Sequence, residues 1–199
     1  MKRPTHDAIK DKIRSGLVRV VAQKGIGGTS IGAVAKEAGV SAGTIYLHFA
    51  DKSDLLQQVY LHIKSEFHAT IVAAAEEADS KAMIERMWRD MLAFTTAQPL
   101  DFLFIEYAGA AQVLNPEQAK QVLGFQDDIT AMLQRAIDDG TVAQIPVETI
   151  VTLLVAPAMH LARVSALHNK PTPAAQIDLT FERVWMSIAG PNPSSSPHN

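Results

Sequence analysis

The sequence predicts an all-α fold in which a small N-terminal domain of three helices continues into a larger helical domain. Apolar residues recur at the 3.6-residue period of a helix, and no run alternates with the period of a strand. Prolines stand where helices would begin, and glycines stand where they would end. The 199 residues, 47% hydrophobic and 20% charged, are typical of one or two soluble globular domains.

The predicted N-terminal domain has three helices and leads into a fourth. Residues 5–24 form the first helix, which has an apolar face, carries its basic residues largely elsewhere and ends at Gly25. Two short helices follow, over residues 30–37 and 41–48. Asp51 is the expected N-cap of the longer helix that comes next.

The rest of the chain, residues 53–190, is predicted to be the larger helical domain. Its most apolar stretch, Ile150–Leu167, contains Pro157 and is shorter than a typical membrane span, so we expect a buried, kinked helix there. The Pro- and Ser-rich tail, residues 191–199, is too polar to pack and is expected to be disordered. After the helix that begins at Asp51, helices are expected over residues 80–97, 99–113, 116–140, 146–167 and 173–190.

Charge is distributed unevenly along the chain. The net charge is −3, but residues 1–52 hold nine Lys or Arg against four acidic residues, and the remainder is net −8. A basic segment on an acidic body indicates binding to a polyanion. The absence of cysteine excludes disulfides, thiolate metal sites and thiol chemistry. The N-terminus lacks the apolar core of a signal peptide, so we expect a cytoplasmic protein that binds no membrane.

The segment Thr29–Lys52 has the pattern of a helix-turn-helix. Ser30 and Ser41 are each placed to cap a short helix, and Gly39 can adopt the left-handed backbone of the tight turn between them. Two short helices that cross through small residues and join at such a turn place the second helix in a major groove of DNA. On that second helix the exposed residues would be Ala42, Gly43, Thr44, Leu47 and His48.

This pattern resembles the signature of the tetracycline-repressor (TetR) family. The resemblance covers residues 9–60, and it implies a DNA-binding domain over residues 1–52 and an effector-binding and dimerisation domain over residues 53–190. The positions that match the signature are Ser30, Ala35, Ala38, Gly39, Val40, Ser41, Gly43, Thr44, Ile45, Tyr46, His48, Phe49 and Lys52.

The resemblance also implies roles at these positions. Tyr46, His48 and Lys52 would contact phosphates, and Thr44 would contact the DNA backbone or a base. A half-buried core position is the alternative for Tyr46. With the cap residues, whose neighbouring amides would face phosphates, the predicted DNA-binding set is Ser30, Ser41, Ala42, Gly43, Thr44, Tyr46, Leu47, His48 and Lys52.

Two features depart from the family pattern. Where members often carry a polar base-reading residue in the second helix, this chain has Gly32 followed by Ala33. The recognition helix itself also lacks a polar base-reading side chain at its exposed alanine, glycine and leucine. We therefore expect readout through thymine methyl groups, DNA shape, and Lys2 and Arg3 in a minor groove, with modest discrimination at single base pairs.

In proteins of this family an effector binds in the middle of the body. Here Met83, Met87 and Met91 follow each other at helical spacing, which is typical of an ordinary core but also suits an adaptable apolar pocket. Glu106 could select a cationic or hydroxylated ligand or be solvated, and His160 could line the pocket, face the dimer or be hydrogen-bonded within the core. The predicted effector-binding residues are Phe67, Met83, Met87, Trp88, Met91, Phe102, Glu106, Tyr107 and His160.

No metal site or cofactor is expected. His62 and Glu66 share a helix face, but His68 points away from it, and solvated polar positions explain all three better than a metal site does. The helices over residues 116–139 and 146–167 are the expected dimer helices, because the second is apolar around much of its circumference.

The sequence thus predicts a ligand-responsive, homodimeric transcriptional regulator, more specifically a repressor. It would bind a near-palindromic DNA operator and be released by a small apolar or aromatic effector of unknown identity. An architectural DNA-binding protein without an effector is one alternative. A small all-α enzyme is the other, although no nucleophile and base are paired by local spacing.

Overall fold

The computed structural model describes residues 6–191, and over that range the chain forms nine α-helices. The all-α prediction is confirmed, and the predicted helix ends lie within a few residues of the observed ones. Lys2 and Arg3, and residues 192–199 of the tail expected to be disordered, lie outside the described residues. The helices are α1 (His6–Lys24), α2 (Ile31–Ala38), α3 (Ala42–Tyr46), α4 (Lys52–Val72), α5 (Ser80–Ala97), α6 (Pro99–Ala110), α7 (Pro116–Asp138), α8 (Val147–His168) and α9 (Ala174–Ile188), with a 3₁₀ turn over Ala73–Glu76.

The two short helices are capped as the sequence predicts. Ser30 Oγ accepts a hydrogen bond from Ala33 N at 3.2 Å, and Ser41 Oγ accepts one from Thr44 N at 3.0 Å. Gly39 ends α2 with a φ of 65°, in the left-handed region that favours glycine. These local interactions set the sharp turn between α2 and α3.

Side chains cap the starts of α4 and α7. Asp51 Oδ1 accepts from Asp54 N at 2.9 Å, and Asp54 Oδ2 accepts from Ala50 N, one residue before the cap, at 2.8 Å. Asn115 and Gln118 form a reciprocal capping box: Asn115 Oδ1 accepts from Gln118 N at 2.9 Å, and Gln118 Oε1 accepts from Asn115 N at 3.1 Å. Both helix starts are therefore specified locally.

The chain divides into two compact units. The first contains the residues up to Glu66 together with Gln98–Lys120, and the second contains Phe67–Ala97 and the residues from Gln121 onward. Helix α6 therefore packs with the N-terminal helices, chiefly with α1. Since residues 53–66 also belong to the first unit, the division into functional domains after residue 52 stays a prediction.

The core of the first unit is built on the apolar face of α1. Ile13 and Leu17 of this helix are fully buried, as are Val34 of α2 and Ile45 of α3. Phe49, which follows α3, is 5% exposed. The anchoring of α3 by Ile45 and Phe49 leaves the opposite side of this helix available for contacts with another molecule.

Helix α1 approaches α2 closely at Gly16, which is buried. A Cβ atom at this position would lie 2.8 Å from the Cβ of Ala38 and 2.9 Å from its backbone nitrogen. We expect Gly16→Ala to lower the free energy of unfolding by about 2 kcal/mol, because the backbone of α2 would have to move. Alanine's higher helix propensity offsets only part of this cost.

The matched control for this substitution is Gly124→Ala in α7, where a Cβ would meet nothing within 4 Å. Helix propensity then acts alone and should raise the free energy of unfolding by about 0.5–1 kcal/mol. Urea unfolding of the two variants measures both effects, and effects of the same sign would contradict the close approach at Gly16.

The core of the second unit is formed mainly by α5 and α8. Met83, Ile84 and Trp88 of α5 are at most 1% exposed, and Ile150 of α8 is fully buried. Outside this core, Ser80 Oγ donates to Asp139 Oδ2 at 2.5 Å. That bond ties the start of α5 to the residue that follows α7.

Helix α8 corrects one expectation. By length and composition it could cross a membrane, with a mean hydropathy of 1.7 over its most apolar window, but core helices of soluble proteins pass the same test. It is continuous through Pro157, and only 28% of that window is buried within this chain. The helix expected to be buried is therefore only partly buried, because apolar composition does not reveal which molecule covers a surface.

Candidate nucleic-acid interface and ligand cavity

The exposed side of α3 carries residues that the sequence assigned to DNA. Tyr46 is 56% exposed and Leu47 is 83% exposed, which excludes a core position for Tyr46. Thr44 and His48 are half-buried. Also exposed are Ser41, Ala42 and Gly43 at the start of α3, and Ser30 at the start of α2. Small residues over the first turn leave space for the edge of a major groove to approach the backbone.

Side-chain contacts hold this surface in place. The hydroxyl groups of Ser41 and Thr44 lie 2.9 Å apart, so the Thr44 side chain is oriented by the helix cap. Arg19 Nε donates to Glu37 Oε1 at 2.7 Å, which joins α1 to α2. Lys52, half-exposed, is the first residue of α4 and directly follows the segment that ends the helix-turn-helix.

His48 lies against the N-terminal end of α1. Its ring meets that of His6 edge-on, with ring centres 4.4 Å apart. Desolvation lowers the pKa of His48, and the positive charges of His6 and Lys10 lower it further. His48 is therefore mostly neutral at neutral pH until an anion, such as a phosphate, favours its charged form.

We expect DNA affinity to rise as the pH falls from about 8 to about 6. Phosphate contact raises the pKa of His48 above its lowered value in the free protein, so binding takes up a proton and acid favours the complex. Each unit of difference between the two pKa values corresponds to at most about tenfold in affinity. Fluorescence anisotropy across this range measures the effect, and a slope that persists in His48→Gln would assign it to another group.

Arg14 has a role that sequence reasoning missed. Its Nη2 lies 2.6 Å from Glu66 Oε2 and 2.5 Å from Asp101 Oδ2, and it donates to Gln98 Oε1 at 3.0 Å. This guanidinium joins α1 to α4 and α6 within the first unit. Arg14 and Arg19 are thus held by carboxylates, so the basic charge of residues 1–52 overstates what faces DNA. The partners of Arg14 lie 52 to 87 residues further along the chain, so no local sequence pattern predicts them.

The three residues considered for a metal site have other partners. Glu66 Oε1 is 3.5 Å from His62 Nε2, while its second oxygen faces Arg14. His68 lies in the second unit, where its ring stacks on Phe125 and its Nε2 is 3.0 Å from Asp128 Oδ2. Across residues 6–191, no group of three His, Asp or Glu is arranged to hold a metal ion.

An apolar cavity lies inside the second unit. Three of the predicted effector-binding residues line it: Met87, Trp88 and Met91 of α5. Its volume is about 40 Å³. The remaining wall residues, from α4, α5, α7 and α8, are Ile71, Ile84, Ile129, Leu133, Leu154 and Val155.

Two other predicted residues of the second unit pack outside this wall. The sulfur of Met83 accepts a hydrogen bond from Arg135 Nη2 at 2.7 Å, and Phe67 packs on Phe94 with ring centres 5.0 Å apart. His160 is exposed on α8 and lines a surface groove beside the loop that leads into α9. It is neither in the cavity nor buried in the core.

The last three predicted residues belong to the first unit. Phe102 is fully buried in its core, whereas Tyr107 is 39% exposed. Glu106 faces α4, where burial and the Glu106 charge raise the pKa of Tyr60. Burial lowers the pKa of Lys64, and the same Glu106 charge opposes that shift. Interaction with Tyr60 and Lys64 within the first unit accounts for Glu106 better than a role in selecting a ligand does.

Comparison with known proteins shows that the segment containing α3 is similar to a described family. Residues 13–59 match the family described as bacterial regulatory proteins, tetR family. An HTH-type transcriptional regulator of Haemophilus influenzae is 35% identical over 94 residues, which cover 46% of this chain. The chain spans about half of that relative, 49% of its length.

Solved structures extend the similarity in fold over nearly the whole chain. A TetR family transcription regulator from Marinobacter aquaeolei has a TM-score of 0.82 at 21% identity, covering 93% of this chain and 97% of that one. A tetR family transcription regulator from a Shewanella species has a TM-score of 0.75 at 25% identity, covering 92% and 99%. The all-α architecture is therefore shared well beyond the helix-turn-helix.

Proposed function

We propose that the chain is a member of the tetR family of bacterial regulatory proteins, whose model matches residues 13–59, and that it is a homodimeric, ligand-responsive repressor of transcription. The observation that carries the proposal is the exposed side of α3, where Tyr46 and Leu47 extend from a helix anchored by Ile45. An exposed aromatic and an exposed aliphatic side chain, flanked by small residues and a cap, suit contact with phosphates and thymine methyl groups.

A dimer is supported by the apolar side chains that α8 and α9 leave exposed. Val164 and Leu167 of α8 are 44% and 55% exposed, and Leu179 and Met186 of α9 are 52% and 70% exposed. The expected partner of α8 was the helix over residues 116–139, but the exposed apolar side chains favour α9. Two copies that meet through α8 and α9 would form a four-helix bundle and present two recognition helices to a near-palindrome.

The cavity of the second unit supports an effector role. Its wall is apolar and includes Met87 and Met91, whose flexible side chains adapt to ligands of different shape. Helix α4 begins at Lys52, beside the helix-turn-helix, and carries Ile71 of the cavity wall near its other end. A ligand that displaces Ile71 would shift α4 and so alter the position of the recognition helix.

A gel-shift assay with the DNA that flanks the gene tests the regulator. We expect specific binding to a near-palindromic site, with an affinity that falls steeply as salt is raised. A purified protein that binds flanking and unrelated DNA equally well would overturn the proposal in favour of an architectural protein. We further propose that the protein works in the cytoplasm, where its operator is accessible.

A thermal-shift screen of small apolar and aromatic compounds tests the effector role. A ligand at 100 times its dissociation constant stabilises the folded protein by about 2.7 kcal/mol, enough to be seen in the melt. The same compounds should weaken operator binding, because ligand and DNA are reciprocally coupled. Compounds that shift the melt but leave DNA affinity unchanged would remove the allosteric part of the proposal.

A further inference from the structure

Trp88 lines the apolar cavity of the second unit and carries one buried polar group, its indole N–H. The side chain is 1% exposed and lines the cavity, and its ring packs on Phe181 with centres 5.6 Å apart. The indole Nε1–H is buried, and within the described part of the chain no hydrogen-bond acceptor reaches it. An unpaired buried donor is costly, and most such groups in folded proteins are paired with something.

Water is a poor partner for this N–H. A volume of about 40 Å³ can hold a water molecule, but a buried water needs two to four polar partners. The cavity wall provides Ile, Leu, Val and Met side chains beside the indole. Cavities with such walls stay dry and take up apolar molecules. The chemistry of the wall therefore favours an organic ligand over solvent.

The wall also limits the charge of that ligand. Among the described residues, no Lys, Arg, His, Asp or Glu lines the cavity, so an ionised group would enter it without a partner of opposite charge. Arg89, which follows Trp88 on α5, is held elsewhere: its Nη2 lies 2.9 Å from Glu85 Oε1 and its Nη1 lies 3.0 Å from Asp178 Oδ1. A neutral acceptor, such as a ketone, ester or amide carbonyl, can pair with the indole N–H without that cost.

We propose that the cavity selects a neutral, predominantly apolar ligand with one hydrogen-bond acceptor, which the Nε1–H of Trp88 recognises. The inference rests on the proposed effector role of this cavity. Met87 and Met91 enlarge the cavity to admit the apolar part of the ligand. Trp88 is then the residue that separates a carbonyl compound from a hydrocarbon of the same shape.

Matched ligand pairs test this assignment. The probes are 2-alkanones of about five to ten carbon atoms and the 2-methyl-1-alkenes that replace each C=O with C=CH₂, so that chain length covers the range of pocket sizes. Calorimetric titration gives the ketone-to-alkene affinity ratio in the wild type and in Trp88→Phe. The ratio cancels the different hydration of the two ligands, because both proteins are titrated with the same pair.

We expect Trp88→Phe to lower the ketone-to-alkene ratio by about tenfold, the loss of one neutral hydrogen bond to a buried donor. Trp185→Phe, the same substitution at the other tryptophan, should leave the ratio unchanged. In the ¹⁵N-labelled wild type the indole N–H resonance of Trp88 should move on addition of the ketone and stay in place with the alkene. This spectroscopic measurement decides the question even where Trp88→Phe does not fold.

Three results would overturn the assignment. They are an unchanged ketone-to-alkene affinity ratio in Trp88→Phe, a Trp88 indole resonance that does not move when the ketone is added, and no binding of the ketones at any chain length. Tighter binding of the alkanoates of equal length also overturns it, because it would place a charge in the cavity. A different result would contradict the proposed effector role of the cavity. If the ratio falls as expected while the ketone leaves operator affinity unchanged in the gel shift, Trp88 recognises the ligand and the cavity does not regulate DNA binding.

Discussion

Gly43→Glu should abolish specific operator binding while leaving the protein folded. Gly43 is exposed in the first turn of α3, and among residues 6–191 a Cβ there would meet only the hydroxyl of Ser41, at 3.6 Å. The longer side chain therefore fits the free protein. Against DNA it both fills the space needed for close approach and sets a carboxylate near phosphates, a repulsion of several kcal/mol. We expect at least about a 100-fold loss of affinity in fluorescence anisotropy.

The control for this variant is Gly124→Glu, at a position in α7 where a Cβ meets nothing within 4 Å. It adds the same charge to the chain, so it reports any effect of net charge on DNA affinity. Circular dichroism and thermal melts should be near those of the wild type for both variants. Equal losses of affinity in the two variants, or full binding by Gly43→Glu, would remove α3 from the DNA interface.

Local chemistry explains why the helix-turn-helix could be predicted in detail. The caps at Ser30 and Ser41 and the left-handed turn at Gly39 each depend on residues at most a few positions apart. These interactions can be predicted from the sequence, because a capping side chain and the amide that it accepts from are separated by a fixed number of residues. The same holds for the side-chain caps that begin α4 and α7.

Interactions between distant segments could not be predicted in this way. In the sequence, Arg14 is one of the basic residues of the segment predicted to bind DNA. Its carboxylate partners, Glu66 and Asp101, are distant in the chain, so no local pattern predicts these ion pairs. The predicted effector-binding residues are dispersed over the two units for the same reason. Trp88 lines the cavity, whereas Phe102 belongs to the core of the other unit, although both are apolar aromatics in the same stretch of sequence. Residue type predicts that a side chain is buried, but the packing of the helices determines whether it lines the cavity.

Helix α8 shows a further limit of composition. An apolar helix of this length fits the core of a single chain, a membrane or an interface between two chains, and hydropathy is the same in all three. The folded chain disfavours the first of these, because α8 is only partly buried and both α8 and α9 carry exposed apolar side chains. For a soluble chain, such a surface is stable when a second copy covers it.

Met186→Glu should convert the proposed dimer to monomers. Met186 of α9 is 70% exposed in the single chain, so a glutamate there is solvated in the monomer and need not disturb its fold. In a twofold dimer the substitution occurs twice, and both carboxylates would be buried in an apolar interface. We expect the dimer dissociation constant, measured by sedimentation velocity, to rise at least about 100-fold, a cost of about 3 kcal/mol.

Leu123→Glu on α7 is the matched variant that separates the two possible interfaces. Leu123 is 57% exposed, comparable to Met186, and the substitution introduces the same charge at an apolar helical position. If α8 pairs with α9 across the twofold axis, Leu123→Glu leaves the dimer intact while Met186→Glu dissociates it. The opposite outcome would assign the interface to α7 and α8. Because a monomer presents a single recognition helix, the dissociated variant should also lose its preference for a palindromic over a half-site operator.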